Sequence, residues 1–177
     1  MRLGKLPPMN TALIEELFET DGELANELRD RIVALGAAAE APLRAIIDDE
    51  TLLDTDARGG GWAPLHALDL LGELRATAAI PRMLELVGSC DLDEYAFGAA
   101  AGALEKMGAA AVEPVLAAYA AEEREEYRAT LASILGSLGV REERIWNVLV
   151  EAFALDPVVG AASFVAYRDA RALPSLR

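Results

Sequence analysis

The chain carries one histidine, His66, and one cysteine, Cys90, beside 30 carboxylates. Histidine is the side chain whose proton moves near neutral pH, but it serves as a base or a ligand only where partners converge on it. His66 stands inside the apolar run Leu65, Leu68, Leu71, the place of a structural histidine. A lone cysteine forms no internal disulfide and no cysteine-built zinc site. Nothing cationic adjoins Cys90 in the sequence, so it is expected to be a small buried hydrophobe or an inert thiol. Gly59-Gly60-Gly61 lacks the Lys-Ser/Thr of a phosphate loop and has no strand before it, so a flexible linker is expected. Asp54 and Asp56 open like a calcium loop, but Arg58 and Leu65 stand where a third ligand and the bidentate glutamate belong. Pairs such as Glu122/Glu123 and Glu142/Glu143 are ordinary for so acidic a chain, and no serine has a histidine pattern around it. The expectation is a protein with no catalytic centre, no cofactor and no metal.

The elements that hold these residues repeat. Leu35-Gly36 runs to Pro42 as Met107-Gly108 runs to Pro114; Leu71-Gly72 leads to Pro81, Leu138-Gly139 to Ile145, and Tyr167-Arg168 to Pro174. Recurrence every thirty or so residues is the mark of a stacked array. Glycine closes a helix by accepting the left-handed conformation, and proline is tolerated in the first turn of the next. Each interval therefore predicts the turn between helix A and helix B of a pair.

Ile80, Met83, Leu84 and Val87 follow helical spacing, as do Val112, Val115, Leu116 and Tyr119, and Ile145, Val148, Leu149 and Ala152. Helix A carries Leu65, Leu68 and Leu71 in one pair, Phe97, Ala100, Leu104 and Met107 in the next, then Tyr127, Leu131, Ile134, Leu135 and Leu138. Asn10 is expected to cap a first helix over 11–19, and Asp21 with Glu23 to open a second that runs to Leu35. The predicted fold is all-α, an α-α superhelix of about four to five antiparallel helix pairs in one domain. N-terminal helices and the first pair occupy 10–50, the second pair 62–88, the third 94–121, the fourth 125–154, and a shortened fifth 157–177. Residues 48–61 form the one long loop.

Trp62-Ala-Pro-Leu-His-Ala-Leu-Asp-Leu-Leu-Gly-Glu-Leu-Arg75, with Ala78-Ala-Ile-Pro-Arg-Met-Leu-Glu-Leu-Val87, resembles bacterial HEAT-like repeat proteins of the phycobilin-lyase repeat class. Asp21-Gly-Glu-Leu24 to Leu35-Gly36 is similar to the same group, and the resemblance spans about residues 20–176. It implies a HEAT-like solenoid and a binding habit, and no reaction. Some members carry a C-terminal cysteine-rich zinc motif that this chain lacks. His66 is followed by Ala67, so the His-Glu pairs that hold metal in HEAT-type di-iron hydroxylases are missing. HEAT-like DNA glycosylases need a basic groove with aromatics, which the acidic balance opposes.

The formal charge is −14. Glu142, Glu143, Glu151, Asp156 and Asp169 balance Arg141, Arg144, Arg168, Arg171 and Arg177, so all of that charge resides in residues 1–140. An acidic body repels phosphate backbones and anionic lipid, so no nucleic acid and no membrane is expected as a partner, and a basic protein partner or simple solubility stays open. With 53% hydrophobic residues disorder is excluded. No apolar stretch reaches the length of a membrane span, and MRLGKLPPMN lacks the apolar core of a signal peptide, so the cytoplasm is the expected location.

Two surfaces are candidates for binding. Outside the core register, helix B presents Arg82 and Glu85 in the second pair and Trp146, Asn147 and Val150 in the fourth. Trp146, Val150 and Phe153 form a second apolar stripe, either packed against the fifth pair or exposed as an aromatic anchor. Acids gather in the connections: Asp48 to Asp56, Asp91 to Glu94, and Glu122, Glu123, Glu125 and Glu126. Stacking would align them into one acidic ridge, either a solubilising edge or a docking strip. In the fifth pair, Val158, Val159, Phe164 and Val165 lack a polar outer cap, which predicts a weak homodimer through the C-terminal repeat or a partner on that patch. The expected function is a protein-protein interaction module, an adaptor or scaffold. The alternatives are an immunity-type or inhibitory protein that binds a basic partner through its acidic face, and a tetrapyrrole-ligand lyase or chaperone.

Overall fold

The computed structural model describes residues 8–89 and 94–174. Ten α-helices follow in order among the described residues: α1 (Pro8–Glu15), α2 (Asn26–Val33), α3 (Ala37–Ile47), α4 (Trp62–Glu73), α5 (Ile80–Gly88), α6 (Glu94–Met107), α7 (Ala109–Ala121), α8 (Glu125–Ser137), α9 (Glu143–Leu155) and α10 (Pro157–Tyr167). Short 3-10 turns cover Glu16–Glu19, Glu50–Leu53, Thr77–Ala79 and Ala170–Ala172. There is no strand among the described residues. The chain is an all-helical repeat fold whose helices pack on their neighbours in sequence.

It divides into two compact units, Met1–Ala103 and Leu104–Arg177. In the first, α3 packs on α4, with α1 against α3 and α2 against α4. Ile14, Leu17, Ile32, Leu43, Ile46, Leu68 and Leu71 are sealed in its core. In the second, α10 lies against both α8 and α9, and α8 also packs on α7. Val115, Leu131, Leu135, Ile145, Leu149, Phe164 and Tyr167 are buried there.

The turn chemistry holds at three of the four marked glycines. Gly36 (φ 55°, ψ −135°) and Gly108 (φ 57°, ψ −125°) adopt the same backbone shape, one that a β-carbon obstructs. Gly139 follows α8 at φ 71°. Gly72 departs from the expectation. It lies within α4, and the left-handed residue that closes that helix is Arg75, at φ 52°. Gly72 is small for another reason: a β-carbon there would sit 2.8 Å from the Ala103 Cα and 2.9 Å from its carbonyl oxygen. The glycine thus marks a close approach of α4 and α6 instead of a turn.

The prolines differ too. Pro42 and Pro114 sit in the second turn of α3 and α7, beyond the first turn where a missing N–H is free of cost. The first turns tighten instead, with Ala38 N–H donating to the Leu35 carbonyl and Ala111 N–H to that of Gly108. Asn10 lies inside α1, because helix begins at Pro8. The next helix starts at Asn26, five residues after Asp21, and ends at Val33.

Residues 48–61 are a built strap, not a flexible linker. The Arg58 guanidinium lies 4.8 Å from the centre of the Phe18 ring and pairs with Glu15 and Glu19. Gly59, Gly60 and Gly61 all have positive φ, and a β-carbon on Gly59 would meet the Phe18 carbonyl oxygen at 3.1 Å. In the core register Leu86 is buried and Leu84 half-buried, because the buried face of α5 is rotated by part of a turn. Phe97 is exposed (38%), with Ala96, Ala100 and Ala103 covered in its place. Small side chains hold the contact face of α6 and leave the large ring outside. Cys90, Asp91, Asp93 and Ser175 to Arg177 lie outside the described residues.

Candidate functional site

In the second unit, the end of α7, the start of α8 and the end of α9 enclose a cleft of about 190 Å³. Tyr119, Arg128, Ala129 and Ala152 line it together with Leu155, which is 57% exposed. Its rim carries three carboxylates, Glu125, Glu126 and Asp156. Each is placed by helix punctuation. Glu125 and Glu126 open α8, where the positive end of the helix dipole favours acids. Asp156 caps α10, its Oδ1 accepting from the Val158 and Val159 N–H groups at 2.9 and 3.2 Å.

Tyr119 is 5% exposed, yet its hydroxyl makes no well-formed hydrogen bond among the described residues. The Arg128 guanidinium lies over the ring, 4.4 Å from its centre, and interacts with the hydroxyl as well. Burial pushes the Tyr119 phenol up from its ordinary pKa; Arg128 offsets part of that, and Glu151 adds to it. The phenol is neutral at physiological pH. Arg128 also pairs with Glu151 at 2.7 Å, so its charge is already met inside the protein.

The neighbouring junction is built differently. Glu122 accepts from the Glu123 and Arg124 backbone N–H groups at 2.9 and 2.8 Å and from the Arg124 guanidinium at 3.0 and 2.9 Å. These bonds, those from the Arg124 side chain foremost, hold its carboxyl at about 2. Glu122 therefore ties the turn from α7 into α8. Glu123, Glu125 and Glu126 are exposed. The expected ridge is described only in pieces, with Asp48 to Asp56 in the first unit and Glu122 to Glu126 in the second.

The helix-B residues are less free than their positions suggest. Arg82 donates from Nε to the Ile47 carbonyl at 3.1 Å and pairs with Glu50 and Glu85, so it fastens the end of α3 to α5. Glu85 is its exposed partner. Trp146 is half-buried, its ring 5.1 Å from Phe164 and 6.3 Å from Tyr167, with Arg171 4.2 Å over it. The stripe thus packs on the fifth pair through Trp146 and Phe153, whereas Asn147 and Val150 (44%) are exposed. Phe164 corrects an expectation. At 3% exposure it belongs to the core between α8 and α9, and Val158 (81%) and Val165 (64%) form the outer face of α10.

His66 is buried and stacked on Trp62, ring centres 6.1 Å apart. Burial lowers its pKa, and the charge of Arg29 lowers it further. A second, smaller cleft of about 130 Å³ lies between Trp62, Tyr95, Leu65 and the strap residues Leu53 and Gly61. Among the described residues, no three His, Cys, Asp or Glu side chains group so as to hold a metal ion, and no helix is long and apolar enough to cross a membrane.

Tyr119, Arg128, Leu155 and Asp156 were hidden from sequence reasoning. Tyr119 fits the core register, and only its polar tip marks it as different. Comparison of the chain with family models, with curated proteins and with solved structures finds no match.

Proposed function

We propose that the protein is a HEAT-like interaction module that holds a basic protein partner, with no reaction of its own. One observation carries this reading. Arg29, Arg31, Arg58, Arg82, Arg124, Arg128, Arg144 and Arg171 each already face one or more carboxylates of the same chain. Half of the chain's 16 basic residues are thus paired internally, and exposed acids such as Glu123, Glu125 and Glu126 carry part of the surplus of −14. Such a surface speeds encounter with a cationic partner and repels nucleic acid and anionic lipid. The tetrapyrrole alternative finds no support in either cleft, since sites for ligands of that size run to ~300–1,000 Å³.

The test is capture from a lysate of the source organism on the immobilised protein, with elution by a salt gradient. The expected result is a protein of basic isoelectric point that elutes as salt rises and is lost when Glu123, Glu125 and Glu126 are changed to Lys. Retention undiminished by that reversal overturns the reading. A captured enzyme or toxin inhibited by the complex would make the protein an inhibitor; one that stays active would make it an adaptor.

A further inference from the structure

We propose that the outer face of α10 pairs two copies of this chain, helix against helix, antiparallel about Ala162. The starting observation is the make-up of α10. In a chain with 26% charged residues, Pro157–Tyr167 contains none. Its two polar side chains are buried and satisfied internally: the Ser163 hydroxyl donates to the Val159 carbonyl, and the Tyr167 hydroxyl to that of Glu142, each at 3.1 Å. The face left outside is therefore wholly apolar. It consists of Val158 (81% exposed), Ala162, Val165 (64%) and Ala166, at the i, i+4, i+7, i+8 spacing of one helix side. A helix that is apolar all round belongs in an interior.

The charge pattern points to a second copy as the cover. Residues 141–177 hold five acids and five bases, whereas the rest of the chain carries the whole charge of −14. Two copies therefore repel through most of their surface and can approach through this neutral part. The ends of the face are complementary to themselves. Asp156 and Arg168, both exposed, stand six residues before and six after Ala162. Antiparallel pairing about Ala162 brings Arg168 of each copy to the end where the other presents Asp156, and sets the two helix dipoles head to tail. Parallel pairing brings like charges together.

The side chains suit the same arrangement. Val158 and Ala166 are each four residues from Ala162, so the valine of one copy lies over the alanine of the other, large against small. Alanine at the crossing lets the helix axes come close. A basic partner finds no carboxylate on this face, and anionic lipid is opposed by the net charge. One helix face is a contact of the small class, below ~1,200 Å², so the dimer is weak, with a Kd on the order of 100 µM.

The experiment is sedimentation equilibrium of the full chain from about 5 µM to about 1 mM, which brackets that Kd. The expected result is a monomer that becomes a dimer across the range. Raising salt from about 50 to about 500 mM should tighten the dimer about threefold, because it screens the repulsion between two acidic chains. Capture of a basic partner responds to salt in the opposite sense, so the two readings stand or fall separately. Val158→Glu and Val165→Glu should each weaken the dimer by about tenfold or more, since each places a carboxylate in an apolar contact, with near-ultraviolet circular dichroism unchanged. In a Cys90→Ser background, Ala162→Cys should form a disulfide-linked dimer on mild oxidation and Val158→Cys should not, because antiparallel copies separate that residue from its own counterpart by about 12 Å along the axis. A monomer throughout the range overturns the proposal, as does a dimer that both glutamate variants leave intact. Equal cross-linking at the two cysteine positions overturns the antiparallel pairing. Monomer that co-sediments with phosphatidylcholine vesicles, and forms no dimer without them, assigns the face to lipid instead and overturns it too.

Discussion

Gly160 in α10 rests directly on the backbone of Phe153 in α9, so close that a β-carbon at Gly160 would lie well inside van der Waals contact with the Phe153 Cα. The two helices are joined by the Asp156-Pro157 corner and meet at this point. Gly160→Ala should lower stability by about 3 kcal/mol, the upper range for overpacking a filled core. Gly102, inside α6, meets nothing within 4 Å. There the same change should raise stability by about 0.5–1 kcal/mol through helix propensity. Urea melts of the two variants check both signs.

Arg75 closes α4 in the left-handed region at φ 52°, where a β-carbon is strained by about 1–2 kcal/mol. Arg75→Gly should therefore stabilise the protein and raise Tm by ~2–4 °C. A thermal melt that falls instead would mean that the Arg75 side chain makes a contact worth more than the strain.

Glu122 offers a test by pH. Its carboxyl sits at about 2 in the folded protein, against 4.5 for a free side chain. A depressed folded value means that its contribution is complete above about 4.5 and is lost as pH falls toward about 2. Glu122→Gln should lower Tm at pH 7, and the gap from wild type should close between pH 4.5 and 2. A gap that persists at pH 2 would show that the side chain acts by shape alone.

Phe164 and Val158 share α10 and should respond oppositely to charge. Phe164 is buried against Trp146 and Phe153, with ring centres 5.1 and 5.3 Å away. Truncating such a ring costs ~3–5 kcal/mol, and placing a carboxylate there adds desolvation. Phe164→Glu should unfold the second unit, seen as loss of near-ultraviolet circular dichroism. Val158→Glu, on an exposed position, should change stability by less than ~0.5 kcal/mol.

The helix pairs were legible in the sequence because their signals are local: apolar spacing, a glycine at Gly36 or Gly108, acids at the start of α8. What stayed hidden depends on distant neighbours. Gly72 reads the same as Gly36 along the chain, and only the approach of Ala103 distinguishes a packing glycine from a turn glycine. Phe164 has the composition of an exposed patch until α8 and α9 cover it. Arg58 and Phe18 are far apart in sequence, so nothing near either residue announced that the 48–61 segment would be held down. The cleft had the same fate, since Tyr119 and Glu126 come from separate helices, Asp156 from the corner between α9 and α10, and each has a sufficient local role.

The placement of α10 has a consequence for the order of synthesis. It wedges against both α8 and α9, with Gly136 facing Ser163 and Gly160 facing Phe153. The ribosome delivers α8 and α9 first. Until α10 emerges they present an open slot whose apolar lining includes Trp146 and Phe153, the kind of transient surface that chaperones shield during translation. The second unit is therefore completed by its last helix as a keystone completes an arch. A polymerase error or proteolytic nick that removes α10 costs the unit its core, not just an end.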